Sequence, residues 1–343
     1  MKKLLPIVLA IAGSLVLPAD AAAQNPSLVV YEGAKGPGAG KHIVFLAGDE
    51  EYRSEESLPA LARILAKHYG FKCTVFFTTD PRTGFIDPGS SHISGLEALR
   101  TADLLVVFLR FRDFPDAEMQ HIVDYLDRGG PVVGFRTATH AFQIQRPDAK
   151  FLKYTWKGGE GYAGGFGRQV LGETWVTHYG KNHVQSSRLR LQQDQSAHPI
   201  LRGVKDVWVQ SGGYTANPIE GSHILAMSQI LDGMTPDAPL AKDKPEMPVA
   251  WYRAYTAASG KPGRAFATTH GASEDLLNPG FRRLAVNACL WAAGLEAGIQ
   301  PTSDISFVGG YQPSTFNFGG HVKGVKPADL AGWESPILPK APK

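Results

Sequence analysis

The chain has 343 residues, 43% of them hydrophobic and 20% charged, with a formal net charge of +3. That length supports one large α/β domain, and the composition is that of a globular protein rather than a disordered one. The near-neutral balance, without a dense Lys/Arg run, excludes a nucleic-acid footprint.

Lys2 and Lys3 precede an apolar run from Leu4 to Leu17, followed by Ala19-Asp-Ala-Ala-Ala23. A charged start, a short apolar core and small residues read as a cleaved export signal over residues 1–23, with an uncleaved anchor as the alternative. The run is too short for a comfortable span, and no later segment is apolar enough to enter a membrane. The expected location is periplasmic or secreted, with no membrane association after cleavage. Residues 24–40, rich in Gly, Pro and Ala, read as a flexible lead-in, and residues 41–300 as the folded domain. Cys73 and Cys289 are the only cysteines; both lie in apolar contexts and read as separate buried thiols.

His42 to Ala47 is a continuous apolar run suited to a strand buried on both faces. Residues 55–68 carry Leu58, Leu61, Ala62, Leu65 and Ala66 at helical spacing. Phe71–Thr78 and Ala102–Leu109 read as strands. Pro115 opens a helix that Gly129-Gly130 stops, and Pro131–Phe135 is the next strand. Residues 143–168 read as a Gly-rich, aromatic excursion over a cleft. Short strands are expected near 171–177, 187–192, 206–210, 223–230 and 248–255, then a buried strand at Gly263–Thr269 and a helix from Pro279 to Leu295. Residues 301–343 read as a C-terminal extension packed on the domain. The alternation predicts a flavodoxin-like, doubly wound parallel sheet with β-rich loop elaborations, whose ligands bind at the carboxyl ends of the strands.

Pro131-Val-Val-Gly-Phe-Arg-Thr-Ala-Thr-His140 reads as a buried strand, a sharp turn and then a helical or loop segment. In nucleophile-elbow enzymes such a turn lifts a Ser or Cys into the cleft. Here Arg136 stands at the turn, and a guanidinium is a fixed cation that cannot attack a carbonyl.

The chain resembles the ThuA-like (trehalose utilisation) family of the class I glutamine amidotransferase-like superfamily. The matching segments are Phe45-Leu-Ala-Gly-Asp-Glu-Glu-Tyr-Arg-Ser-Glu-Glu56, Arg110-Phe-Arg112, Gly134-Phe-Arg-Thr-Ala-Thr-His-Ala-Phe142 and Gly164-Gly-Phe-Gly-Arg168. Leu171-Gly-Glu-Thr-Trp-Val-Thr-His178, His198-Pro-Ile-Leu-Arg-Gly203, Met247-Pro-Val-Ala-Trp251 and Phe281-Arg-Arg-Leu-Ala-Val-Asn287 extend the match over nearly all of the mature chain. The resemblance implies an amidotransferase-type sheet and a link to sugar catabolism, with 3-keto-glycosides as a candidate substrate class. It places His270 where the superfamily carries its histidine. Arg136 in place of the superfamily's Cys rejects glutamine hydrolysis.

Arg53, Arg110, Arg112 and Arg136 follow expected strands and could converge on an anionic group or an enolate. The alternative is structural ion pairing with Glu50, Glu51, Asp113 or Asp116. Glu51, Thr137 and Tyr214 are further candidate substrate contacts. His140, His178, Glu173 and His270 are the candidate acid–base residues. His140, His178 and His183 could form a three-histidine site for a divalent metal such as Zn, although their spacing is not that of a helical zinc motif. The aromatic residues Trp156, Tyr162, Phe166, Trp175, Tyr179 and Tyr214 suit the apolar faces of sugar rings, or form the excursion's own core. The expected partner is a small-molecule carbohydrate, acted on as an oxidised (keto) sugar or glycoside by acid–base chemistry. The alternative is a non-catalytic sugar-binding protein. The sequence leaves the oligomeric state open.

Overall fold

The computed structural model describes residues 27–159 and 161–337. The expected export signal, residues 1–23, lies outside the described residues. The amino-terminal half carries β1 (Leu28–Glu32), β2 (His42–Gly48), α1 (Ser54–Tyr69), β3 (Lys72–Phe77), β4 (Leu104–Leu109), α2 (Asp116–Asp127) and β5 (Val132–Phe135). The rest carries β6 (His178–Tyr179), β7 (Ser186–Leu191), β8 (Trp208–Val209), β9 (Gly213–Tyr214), β10 (Ser222–Leu231), β11 (Met247–Thr256), β12 (Pro262–Thr268) and α3 (Pro279–Ala292).

The main sheet has the order β1-β3-β2-β4-β5-β12-β11-β10-β7-β8, and β6 pairs separately with β9. The pairings from β3 through β2, β4 and β5 to β12 are parallel. Taken alone in chain order, these strands give the 2-1-3-4-5 arrangement of a flavodoxin-like sheet. The β-rich elaboration is an antiparallel wing on the same sheet, running from β12 through β11, β10 and β7 to β8.

Every residue of β4 is buried, because both faces of the sheet are covered. Leu104, Val106 and Phe108 pack with the apolar faces of α1 and α3, while Leu105, Val107 and Leu109 pack with Met119, Ile122 and Leu126 of α2. Burying each such side chain contributes about 1.5–3 kcal/mol relative to exposure, so a charge introduced on either face breaks a packed layer.

The structure departs from the sequence reading in two places. Within the segment read as a flexible lead-in, Leu28–Glu32 forms an edge strand antiparallel to β3, with Val29 and Tyr31 facing the core. No strand forms over 171–177: Gly167–Leu171 is a π-helical turn closed by Gly172 at φ 95°, and pairing begins only at His178. Cys73 and Cys289 are separate buried thiols, as expected. No described helix is long and apolar enough to cross a membrane.

Strand β2 sits between β3, which follows it in sequence, and β4, so the winding direction reverses between β2 and β4. That reversal opens a crevice at their carboxyl ends. The loops that line it start at Asp49, Arg110 and Arg136.

Candidate functional site

Asp49 folds the turn after β2. Its buried carboxylate accepts the Glu51 and Tyr52 amides at 2.8 and 2.5 Å and the Thr137 hydroxyl at 2.5 Å. An Asp side chain bonding to the backbone two and three residues on is a common turn device. Thr137 is therefore a tie between the β2 and β5 loops. The β4 loop joins the same unit, because the Phe111 and Arg112 amides donate to the His140 and Ala141 carbonyls at 2.9 and 2.7 Å.

Backbone strain gathers here. The non-glycine described residues with positive φ are Arg53, Phe111, Arg136, His183 and Asp206. All but Asp206 lie at or beside the crevice. Such conformations cost about 1–3 kcal/mol each and persist where surrounding contacts over-determine them.

Arg136 occupies the elbow, at φ 42° directly after β5. Its side chain does not rise into the cleft. It is fully buried, with Nη1 donating to the carbonyls of Gly212 and Thr269 at 2.6 and 3.0 Å. The guanidinium lies 3.6 Å from the Tyr52 ring centroid and 4.8 Å from that of Tyr214. Burial acts to lower its pKa, but Tyr214, Tyr52 and Asp275 outweigh burial and the net shift is upward. The residue holds the strand ends together as a cation under an aromatic roof.

Arg53 and Arg112 are also structural. Arg53 Nη2 donates to the Asn317 carbonyl and Oδ1 at 2.6 and 2.9 Å. Arg112 binds Glu50 at 2.9 Å and the carbonyls of Pro88, Ser90 and Arg110. Arg110 is the one of the four that pairs with Glu51, a residue of the cleft wall. Its Nη1 meets Glu50 at 2.5 Å and its Nε lies 3.7 Å from Glu51 Oε2, while Nη2 has no hydrogen-bond partner among the described residues.

Glu51 is 7% exposed, and its Oε2 is buried without a hydrogen-bond partner. Burial pushes its pKa up, against the opposing charges of Arg136 and Arg110. It borders a cleft of about 430 Å³ whose other walls are His178, Gly180, Lys181, Asn182, Gln185 and Lys244. At the mouth, His178 Nε2 lies 3.1 Å from the Tyr52 hydroxyl, which also receives Asn182 Nδ2 at 2.9 Å. The pKa of His178 is pushed down to about 4, by partial burial and then by the Arg136 and Arg110 charges. The neutral ring accepts from Tyr52 when its proton sits on Nδ1, and burial raises the pKa of Tyr52 itself to about 12.

The other histidines are disposed differently. His140 is buried among Phe111, Trp175 and Tyr214, with ring centroids 4.7, 5.3 and 5.6 Å away, and Thr139 lies 3.2 Å from its Nδ1. Burial, then Arg110, Arg136 and His178, hold its pKa well below the usual value. His183 stacks on Phe316 at 4.4 Å, away from that cluster. The three-histidine set is thus not gathered, and no group of three or more His, Cys, Asp or Glu among the described residues is arranged to hold a metal. His270 is fully buried, 3.2 Å from the Ser211 hydroxyl, which donates to Asp275 at 2.6 Å. It has no opening to the cleft. Its Nε2 is a buried atom without a partner.

Glu173 does not face the cleft as a free acid or base. Its Oε1 accepts from Arg168 at 2.7 Å and from the Thr174 amide at 2.9 Å, and its Oε2 accepts from the Asn217 amide. Both oxygens are consumed in clamping the π-helical turn to the strand region beyond it. Of the aromatic candidates, Trp156, Trp175 and Tyr214 surround His140 or its neighbour Phe111, Phe166 packs in the core and Tyr179 belongs to a small separate cluster. Sequence reasoning missed Tyr52, Asn182, Lys181, Gln185 and Lys244. Tyr52 and Asn182 sit inside stretches singled out for other residues, so adjacency was the available signal.

A family model, ThuA (trehalose utilisation), matches residues 42–292. Among solved structures, a ThuA-like protein of Parabacteroides merdae ATCC 43184 is 16% identical, over 74% of this chain and 90% of that one, at a TM-score of 0.44. A cytoplasmic protein of Salmonella typhimurium is 13% identical, over 73% of this chain and 98% of that one, at a TM-score of 0.41. No curated protein matches the sequence.

Proposed function

This chain belongs to the ThuA family of the class I glutamine amidotransferase-like superfamily, and from that premise we propose that its cleft binds an oxidised (keto) sugar or glycoside and moves a proton on it. The family supports a carbohydrate-related function in general. The observation that carries the finer reading is Glu51: a carboxylate on the cleft wall with a raised pKa and a buried oxygen that accepts no hydrogen bond, 3.7 Å from Arg110 Nε.

A C–H bond next to a ketone is acidified because its electrons can move onto the carbonyl oxygen. Glu51 takes that proton on a carboxylate oxygen, and the negative charge develops on the substrate oxygen. Arg110, whose Nη2 has no hydrogen-bond partner among the described residues, stabilises the enolate. The Tyr52–His178 pair at the mouth supplies a second hydrogen-bonding group for the returning or departing proton. Return of the proton to the neighbouring carbon isomerises the sugar; alternatively the enolate expels the glycosidic oxygen, which takes a proton from the Tyr52–His178 pair, leaving an enone as the elimination product, and addition of water to that enone completes hydrolysis. Asn182, Gln185 and Lys181 suit the sugar hydroxyls. The amino-terminal pattern of residues 1–23 supports export, so that this chemistry takes place outside the cytoplasm.

The test is incubation of the purified protein with 3-keto-trehalose and 3-keto-lactose, followed by chromatography. Conversion of either supports the reading. Measurable binding without conversion overturns the catalytic part in favour of a sugar-binding protein.

A further inference from the structure

The carboxyl-terminal segment beyond residue 292 lies outside the family match, yet it packs against Tyr52, Arg53 and His183 beside the crevice. Ser314 donates its amide to Glu56 at 2.7 Å, Thr315 its hydroxyl to Glu274 at 3.2 Å, and Asn317 receives Arg53 through two oxygens. Phe316, 1% exposed, packs 5.2 Å from Tyr52 and 4.4 Å from His183. Gly320 packs against the same pair, because a Cβ there would stand 2.0 Å from Asn317 Oδ1 and 2.2 Å from Arg53 Nη2. The segment is therefore pinned on both sides of residue 318.

Phe318 is the exception within it. Its side chain is 61% exposed, although the residues around it are held. The Arg110 guanidinium lies 4.9 Å from its ring centroid and 4.9 Å from that of Phe111. Phe318 thus stacks on the cationic group that pairs with Glu51 on the cleft wall. An apolar ring held by a fixed backbone loses little freedom when a ligand covers it, so its burial contributes directly to affinity.

We propose that Phe318 is a specificity-determining residue, a platform on which a second sugar ring stacks beside the unit held at Glu51 and Arg110. The inference rests on the carbohydrate reading of the cleft and narrows its ligand to a disaccharide or longer glycoside. A pyranose presents an apolar C–H face, and an exposed flat ring of this kind complements it.

The experiment is titration calorimetry of the wild type, Phe318→Ala and Phe318→Trp with trehalose, 3-keto-trehalose, glucose and 3-keto-glucose. Phe318 is exposed, so both variants fold, and unchanged circular dichroism confirms it. The expected result is a loss of about ten-fold in disaccharide affinity for the Ala variant, retention in the Trp variant, and monosaccharide affinities within about two-fold of the wild type. Equal disaccharide affinity in wild type and the Ala variant overturns the role of Phe318 while leaving the cleft's function intact. If the wild type binds none of the four sugars, both this inference and the carbohydrate reading fall.

Discussion

Replacing Arg136 with Ala separates a structural cation from a ligand-holding one. The wild-type side chain makes two hydrogen bonds from a charged donor to the buried carbonyls of Gly212 and Thr269. Bonds of that kind contribute about 1.5–3 kcal/mol each, and the stacking on Tyr52 and Tyr214 adds about 2 kcal/mol in a desolvated setting. Against this stands the cost of burying a guanidinium that forms no salt bridge, several kcal/mol that the Ala variant recovers. The difference leaves Arg136→Ala destabilised by about 3 kcal/mol. Arg136→Lys recovers little of that loss, since an ammonium lacks the flat guanidinium face that lies against Tyr52 and Tyr214. Urea denaturation at pH 7 reads the effect as a lowered midpoint. A variant as stable as the wild type that has lost sugar binding would falsify this assignment and return Arg136 to the ligand.

Further predictions follow from the same contacts. Glu56 is buried at the start of α1, and burial raises its pKa from 4.5 to about 7. A carboxyl whose folded pKa is raised contributes stability that is present below 4.5 and lost as the pH rises through about 7, here about 3 kcal/mol. Glu56→Gln flattens the fall in the urea midpoint between pH 4.5 and 7; an unchanged slope contradicts the assignment. Glu51→Gln lowers turnover of 3-keto-trehalose by about 10²–10⁴-fold with little change in binding, and the wild-type rate climbs with pH through a value above that of an ordinary carboxylate. A rate within two-fold of wild type, about the noise of such a comparison, removes Glu51 from the chemistry. The His178 ring, followed by NMR, titrates near pH 4; an ordinary histidine midpoint contradicts the cationic surroundings described for it. Glu173→Ala lowers the urea midpoint by the equivalent of about 2 kcal/mol through loss of its three hydrogen bonds, while turnover per folded molecule holds. Selective loss of turnover restores Glu173 as a proton carrier.

The parallel strands were legible because a strand covered on both faces has to be apolar throughout, as Leu104–Leu109 is. The elbow was legible from the apolar strand meeting a polar turn at Arg136. The direction of the Arg136 side chain was not, since only the carbonyls of Gly212 and Thr269, far along the chain, decide that it folds inward. The same holds for Arg53, whose partner Asn317 lies 264 residues away. Glu173 read as a free acid because its partner Arg168 is brought round by a π-helical turn that periodicity does not reveal. In Leu28–Glu32 the alternation of buried and exposed residues was present, but the Gly- and Pro-rich surroundings outweighed it. Acidic residues following β2 were visible as a run, and only burial distinguishes Glu51, whose Oε2 accepts no hydrogen bond, from Glu50, which is spent on Arg110 and Arg112.

Proton exchange tests the central claim most directly. Incubated with 3-keto-trehalose in D₂O, the wild type should place deuterium on the carbon next to the ketone faster than buffer alone, in recovered substrate or in product, as read by NMR. Glu51→Gln should return that rate to the buffer value. Exchange at the buffer rate with wild-type protein, under conditions where the sugar is bound, contradicts the account.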